Sequence, residues 1–154
     1  MVYKKSWKYI LIKDNSENCK DLGMFQIKAL KDFSDVSKGD LGGYIKSYYN
    51  LSQFGDCWVY NKASVYTRAR VFGNAVVKDE AQVYGIAIVF GNAIISEQSM
   101  VFSNAQVFGN AQVYGHAKVY EKAVVSGNAE VSGYALVCDT HVCGKTIVKT
   151  SYDI

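Results

Sequence analysis

The chain has 154 residues, of which 49% are hydrophobic, 20% charged and 14% aromatic, the make-up of one folded domain and not of a disordered segment. Lys and Arg outnumber Asp and Glu by 17 to 14, a formal charge of +3, too small to point to sequence-specific nucleic acid or a membrane surface as partner. Proline is absent, so nothing of that kind interrupts long hydrogen-bonded ladders.

Residues 1–50 come first and follow no repeat. Trp7–Lys13 alternates in polarity and predicts a strand. Its apolar centre, Tyr9-Ile10-Leu11-Ile12, is far too short to span a bilayer, and Lys8 and Lys13 flank it, which argues against a secretory signal. With no signal, the four cysteines read as reduced thiols, and the expected location is the cytoplasm. Asp14–Asp21 reads as a polar loop, Gly23–Leu30 as a second strand, and Lys31–Gly43, rich in Asp, Ser and Gly, as another loop. This third of the chain holds nine lysines against six acidic residues, whereas residues 51–154 hold eight of each sign. We therefore expect 1–50 to form N-terminal strands and a loop that cap the domain.

From Cys57 a six-residue frame runs for some eighty residues. Small residues recur at Ala63, Ala69, Ala75 and every sixth position to Ala135, with Ser99 the one exception to alanine. Two places after each comes an aliphatic, from Val65 and Val71 through Ile95 to Val137. Alternation turns the small residue and the aliphatic to one side of a short strand and the intervening residues to the other. Gly-Asn pairs, as at Gly73-Asn74 and Gly91-Asn92, supply corners. These pairs and Phe72, Phe90 and Phe108 return every eighteen residues, so the chain revisits one wall every third strand. That arithmetic describes a triangular coil with three parallel sheets over residues 51–145, and Thr146–Thr150 within 146–154 as a closing strand and tail.

The frame resembles the hexapeptide repeat of left-handed parallel β-helices. The resemblance implies an all-β, left-handed parallel β-helix of about five triangular coils with an N-terminal β-hairpin-like cap. The left hand comes from the resemblance alone, since crossovers between parallel strands are usually right-handed. Lys38-Gly39-Asp40-Leu41-Gly42-Gly43-Tyr44-Ile45, followed by Asn50-Leu51-Ser52-Gln53, is similar to the lead-in of small phage and prophage hexapeptide-repeat proteins. Most of those have no assigned activity.

Three outward walls follow from the period. Wall A presents Trp58 and Tyr60 and their equivalents in later coils, wall B Ser64 and Tyr66, and wall C Arg70 and Phe72. The Ala and Val interior is too narrow to hold a ligand, so function belongs outside. On wall C, Arg70, Phe72, Ile88, Phe90, Phe108 and Val124 form an apolar stripe larger than a monomer usually leaves bare. A homotrimer of the kind the resemblance implies would cover it; residues 1–50 or a hydrophobic partner are the other candidates. On wall B, Tyr66, Tyr84, Phe102 and Tyr120 make an aromatic ladder flanked by Arg68, Lys118 and Lys122. It reads either as cross-strand stacking that stiffens the sheet or as a platform for a planar anionic ligand.

Catalytic chemistry is poorly represented. His116 replaces a corner Asn, and His141 falls at an inward position where the frame ends. The zinc-dependent carbonic anhydrases within the fold that the chain resembles need three His per metal, and two histidines cannot supply them. Cys138, His141 and Cys143 have ligand-type side chains but lack a fourth partner and divide between walls. We expect no catalytic residue, metal or cofactor. The reading that fits is a non-catalytic binding protein, phage-encoded, that sequesters or blocks a host component, either a protein or a small nucleotide signal. Such a protein would inhibit a host defence in the host cytoplasm. A hexapeptide-repeat acyltransferase and a structural or assembly protein are the alternatives.

Overall fold

The structure, a computed structural model, describes residues 6–150. Residues 1–5 of the expected cap and 151–154 of the expected tail lie outside the described residues.

Each hexad folds into a strand of two to four residues and a tight corner, as at Ser64–Val65, Arg70–Val71 and Val76–Val77. The corner residue takes a left-handed backbone, φ 67° at Gly73 and 55° at Asn61, which Gly and Asn adopt with little strain. Thr67 does the same at φ 56°, an unfavourable geometry for a β-branched side chain. Successive rungs are tied along the coil axis: Tyr60 N–H donates to Val77 O (2.8 Å), Tyr66 to Val83 O (3.0 Å) and Phe72 to Val89 O (3.1 Å).

Three parallel sheets result. Among the described residues, wall A has six strands, from Trp58–Val59 to Ile147–Thr150, and wall C has five, from Arg70–Val71 to His141–Val142. Inside, the frame's alanines and valines are buried and in register, Val65 beside Val83 and Val101 beside Val119. Ser99 is equally buried, and its hydroxyl reaches Ser96 O (2.7 Å) and Val113 O (3.2 Å), so the polar substitution leaves no unpaired oxygen.

Wall B has eight strands because the N-terminal segment extends it. β1 (Tyr9–Ile12) and β2 (Phe25–Ala29) are antiparallel, with the short helix α1 (Glu17–Lys20) in the loop between them. β3 (Leu41–Ile45) runs antiparallel to β2 and parallel to Ser64–Val65. Leu51 bridges Val71 on wall C, so the coil begins at β3. With Ile147–Thr150 closing wall A, there are about six turns, one more than expected.

The stretch Lys31–Gly43, expected as loop, therefore ends in a strand, and glycine is the reason. A Cβ on Gly42 would lie 2.5 Å from Val59 O, and one on Gly43 would lie 2.5 Å from Ala63 O. Only bare backbone lets β3 run this close to the first coil.

Two outward expectations change. Trp58 points away from the prism yet is only 1% exposed, because Tyr9 (ring centroids 6.0 Å) and Phe33 (5.1 Å) close over it edge-on. His141, expected inward, is exposed, and Val142 is the buried residue. The corner at Asp139 lacks one residue: Val125 pairs with Val142, five positions after Val137, so the side-chain alternation inverts.

The open base of the prism is closed by Lys8. Its side chain is 1% exposed, and its ammonium donates to Cys57 O (2.7 Å), Gly55 O (3.2 Å) and Cys57 Sγ (3.3 Å). Burial lowers the Lys8 pKa and raises that of the Cys57 thiol.

Candidate binding surfaces

The rung spacing of a β-sheet equals a stacking distance, so identical aromatic positions must stack. On wall B the centroids lie 5.0 Å apart for Tyr66–Tyr84, 5.0 Å for Tyr84–Phe102 and 5.1 Å for Phe102–Tyr120, with planes within 6° of parallel. Ring faces are thus turned to one another. A planar ligand sandwiched between two rings needs about 7 Å, twice a van der Waals contact, so the ladder offers edges along its length and free faces only at its ends. Burial raises the hydroxyl pKa of both Tyr66 and Tyr84, and the Tyr66 hydroxyl donates to Gln82 Oε1 (2.8 Å).

The flanking cations do not gather at one point. Lys118 is exposed in the same strand as Tyr120, whereas Arg68 and Lys122 are exposed on one corner three rungs apart. The Lys122 backbone N–H donates to Asp139 Oδ1 (3.2 Å).

At the N-terminal end of the ladder lies a cleft of about 550 Å³. The first two rungs of wall B contribute Ser64, Tyr66 and Gln82, with Lys62 and Glu80 at the neighbouring corner. The loop between β1 and β2 contributes Asn18, Leu22 and Met24, and Lys46 and Thr67 complete the rim. A small second core holds that loop down: Cys19, Met24 and Tyr44 are buried together, and Tyr66 packs against them. Asp14 adds polar ties, accepting from Ser16 N–H (2.8 Å) and the Tyr44 hydroxyl (2.9 Å). Hydrogen bonding to Ser16, then to Cys19 and Tyr44, holds the Asp14 carboxyl well below the usual carboxylate range against a smaller opposing effect of burial. Sequence reasoning found Tyr66 but missed the rest of the cleft. Lys46 lies one rung below Tyr66 because Ile45 pairs with Val65 twenty residues on; the eighteen-residue frame points to Tyr48 instead, so the sequence carried no signal for Lys46.

On wall C, Phe72, Phe90 and Phe108 stack at 4.9 and 4.8 Å and remain half-buried, as do Ile88 and Val124. Arg70 is exposed, with its guanidinium 5.2 Å from the Tyr49 ring and 5.5 Å from Phe72. The N-terminal segment closes over Trp58 on wall A; on wall C it reaches the first rung, through Tyr49.

His116 is exposed and stacks on Tyr134 at 4.8 Å. Cys138 sits on wall B, His141 on wall C and Cys143 beyond it, all exposed. Among the described residues no group of three or more His, Cys, Asp or Glu is placed to hold a metal ion. Likewise, no helix among them is long and apolar enough to cross a membrane.

A family model described as the YdcK beta solenoid repeat matches residues 111–127, just short of one turn of the coil. The chain folds as a parallel β-solenoid. That match and the in-register parallel ladders agree on the architecture. No curated protein matches the chain. A fold alone does not set an activity, so the function of this chain lies in its surfaces.

Proposed function

We propose that this β-helix is a non-catalytic binding protein that works from the outside of its prism. One contrast carries the reading: the interior is filled from end to end by buried Ala and Val, while aromatic side chains are stacked in ladders on two outer walls. Rigid ladders suit capture of a partner, because their rotamers are already ordered before contact.

In this reading the wall C stripe is covered by copies of the same chain in a homotrimer, with Phe72, Phe90 and Phe108 at the contact. The finer elements belong to the same proposal: a phage-encoded protein that acts in the host cytoplasm by sequestering or blocking a host protein or a small nucleotide. The lead-in around Leu41–Ile45 supports that origin by its resemblance.

Analytical sedimentation of the full chain and of Phe90→Glu tests the assembly. The expected result is a trimer that dissociates in the variant, because a carboxylate buried in an apolar contact costs several kcal/mol, on the order of 3–5. A monomeric parent chain at micromolar concentration removes the trimer, and a trimer that survives Phe90→Glu assigns the contact to another wall.

A further inference from the structure

We propose that the cleft between the β1–β2 loop and the first two rungs of wall B binds a small planar anion, an aromatic ring bearing one phosphate or carboxylate. This deepens the reading above and rests on it.

Three observations converge. The volume, about 550 Å³, is in the range of pockets that enclose a small organic ligand. Its apolar lining is what a ring requires, with Met24 on the loop side and Tyr66 on the wall side. Its charge is what an anion requires, since Lys46 and Lys62 both line it against the single carboxylate of Glu80.

Lys46 is placed, not loose. Its ammonium donates to Leu22 O (3.0 Å), which ties it to the loop rim. Gly23 makes room for it: a Cβ there would lie 2.9 Å from Lys46 Nζ, and the glycine also adopts φ 63°. One carbonyl leaves two of the three ammonium donors for a ligand. Ser64 and Gln82 add a hydroxyl and an amide beside the ring site, with Gln82 already oriented by the Tyr66 hydroxyl.

The ladder explains why the ligand belongs here and not further along wall B. Tyr84 and Phe102 have a ring on either side, whereas Tyr66 and Tyr120 are the terminal rings, and Tyr66 is the one that lines this cleft.

Isothermal titration of the full chain tests the site with four probes: AMP, indole-3-acetate, adenosine and inorganic phosphate. AMP and indole-3-acetate separate a phosphate source from a carboxylate source. Adenosine lacks the charge and phosphate lacks the ring. The expected result is binding of AMP or indole-3-acetate, with adenosine and phosphate at least about tenfold weaker, the scale of one charge-assisted contact. Lys46→Ala and Lys62→Ala, both at exposed positions, should each weaken binding about tenfold with an unchanged thermal midpoint, and Lys118→Ala should not weaken it. The inference is overturned if neither AMP nor indole-3-acetate binds, or if binding is indifferent to both cleft lysines. Turnover of a bound probe, followed by chromatography, would instead overturn the non-catalytic reading and leave the site standing.

Discussion

The side-chain amide of Gln53 pairs with the backbone of Tyr9 as a neighbouring strand would. Tyr9 N–H donates to Gln53 Oε1 (3.2 Å), and Gln53 Nε2 donates to Tyr9 O (3.1 Å). Lys8 N–H shares the same oxygen (2.7 Å), and Leu11 N–H donates to the Tyr48 hydroxyl (3.3 Å). β1 is the outermost strand of wall B, and an open edge there would invite pairing between molecules.

Gln53→Ala should therefore do two things. It should cost about 1–2 kcal/mol in urea unfolding, the scale of backbone groups left without a partner. It should also raise self-association, seen as faster-sedimenting species. Unchanged stability together with unchanged sedimentation would show that the amide plugs nothing.

Lys8→Met retains length and apolar bulk but removes the ammonium that caps Cys57 O and Gly55 O. Leaving the buried Cys57 carbonyl without the ammonium should destabilise the chain by about 1–3 kcal/mol. In the parent chain the Lys8 pKa is lowered by burial, so the unfolded state holds more protons between the folded value and the ordinary 10.5. Lys8 therefore contributes a rise in stability with pH across that interval. Unfolding titrations of both proteins from neutral to alkaline pH check this, and a slope unchanged in Lys8→Met removes Lys8 as its source.

Gly43→Ala tests the close approach of β3. The added methyl would meet Ala63 O at 2.5 Å and a Val59 methyl at 2.7 Å, so backbone must shift. We expect a loss of about 2–4 kcal/mol, in the range of overpacking in a tight core, and a matching fall in the thermal midpoint. A midpoint within a degree of the parent would mean that β3 is not packed as described.

Asp14 gives the loop over the cleft an acid limit. Its folded pKa is depressed, chiefly by hydrogen bonding to Ser16, so the stability it contributes is present above the ordinary carboxylate value and is lost as pH falls below it. Asp14→Asn should be less stable than the parent near neutral pH, and the gap should close as pH falls from about 4 towards 2. Paired unfolding curves at pH 6 and pH 3 check the sign. A gap that widens in acid contradicts it.

Repetition made the coil legible. The alternation of Ala and Val at a six-residue spacing, with Gly-Asn corners returning every eighteenth residue, dictates which side chains enter the prism and which wall each rung joins, because every rung is a neighbour of its own copy. That logic reached the stacked ladders at Tyr66–Tyr120 and Phe72–Phe108. It fails where the period fails. Gly42-Gly43 looks like loop chemistry by composition, yet it is a strand because two carbonyls leave no room for a Cβ. The corner at Asp139 is one residue short, which turned His141 outward. The cleft joins Met24, Lys46 and Tyr66, parts of the chain related by no repeat. Local pattern thus determined the prism, and only long-range packing of the N-terminal segment decided that Trp58 is buried, that the β1 edge is plugged and that Lys46 and Lys62 line one cleft with Tyr66. Those contacts depend on distances between segments, to which a short-range sequence period is blind.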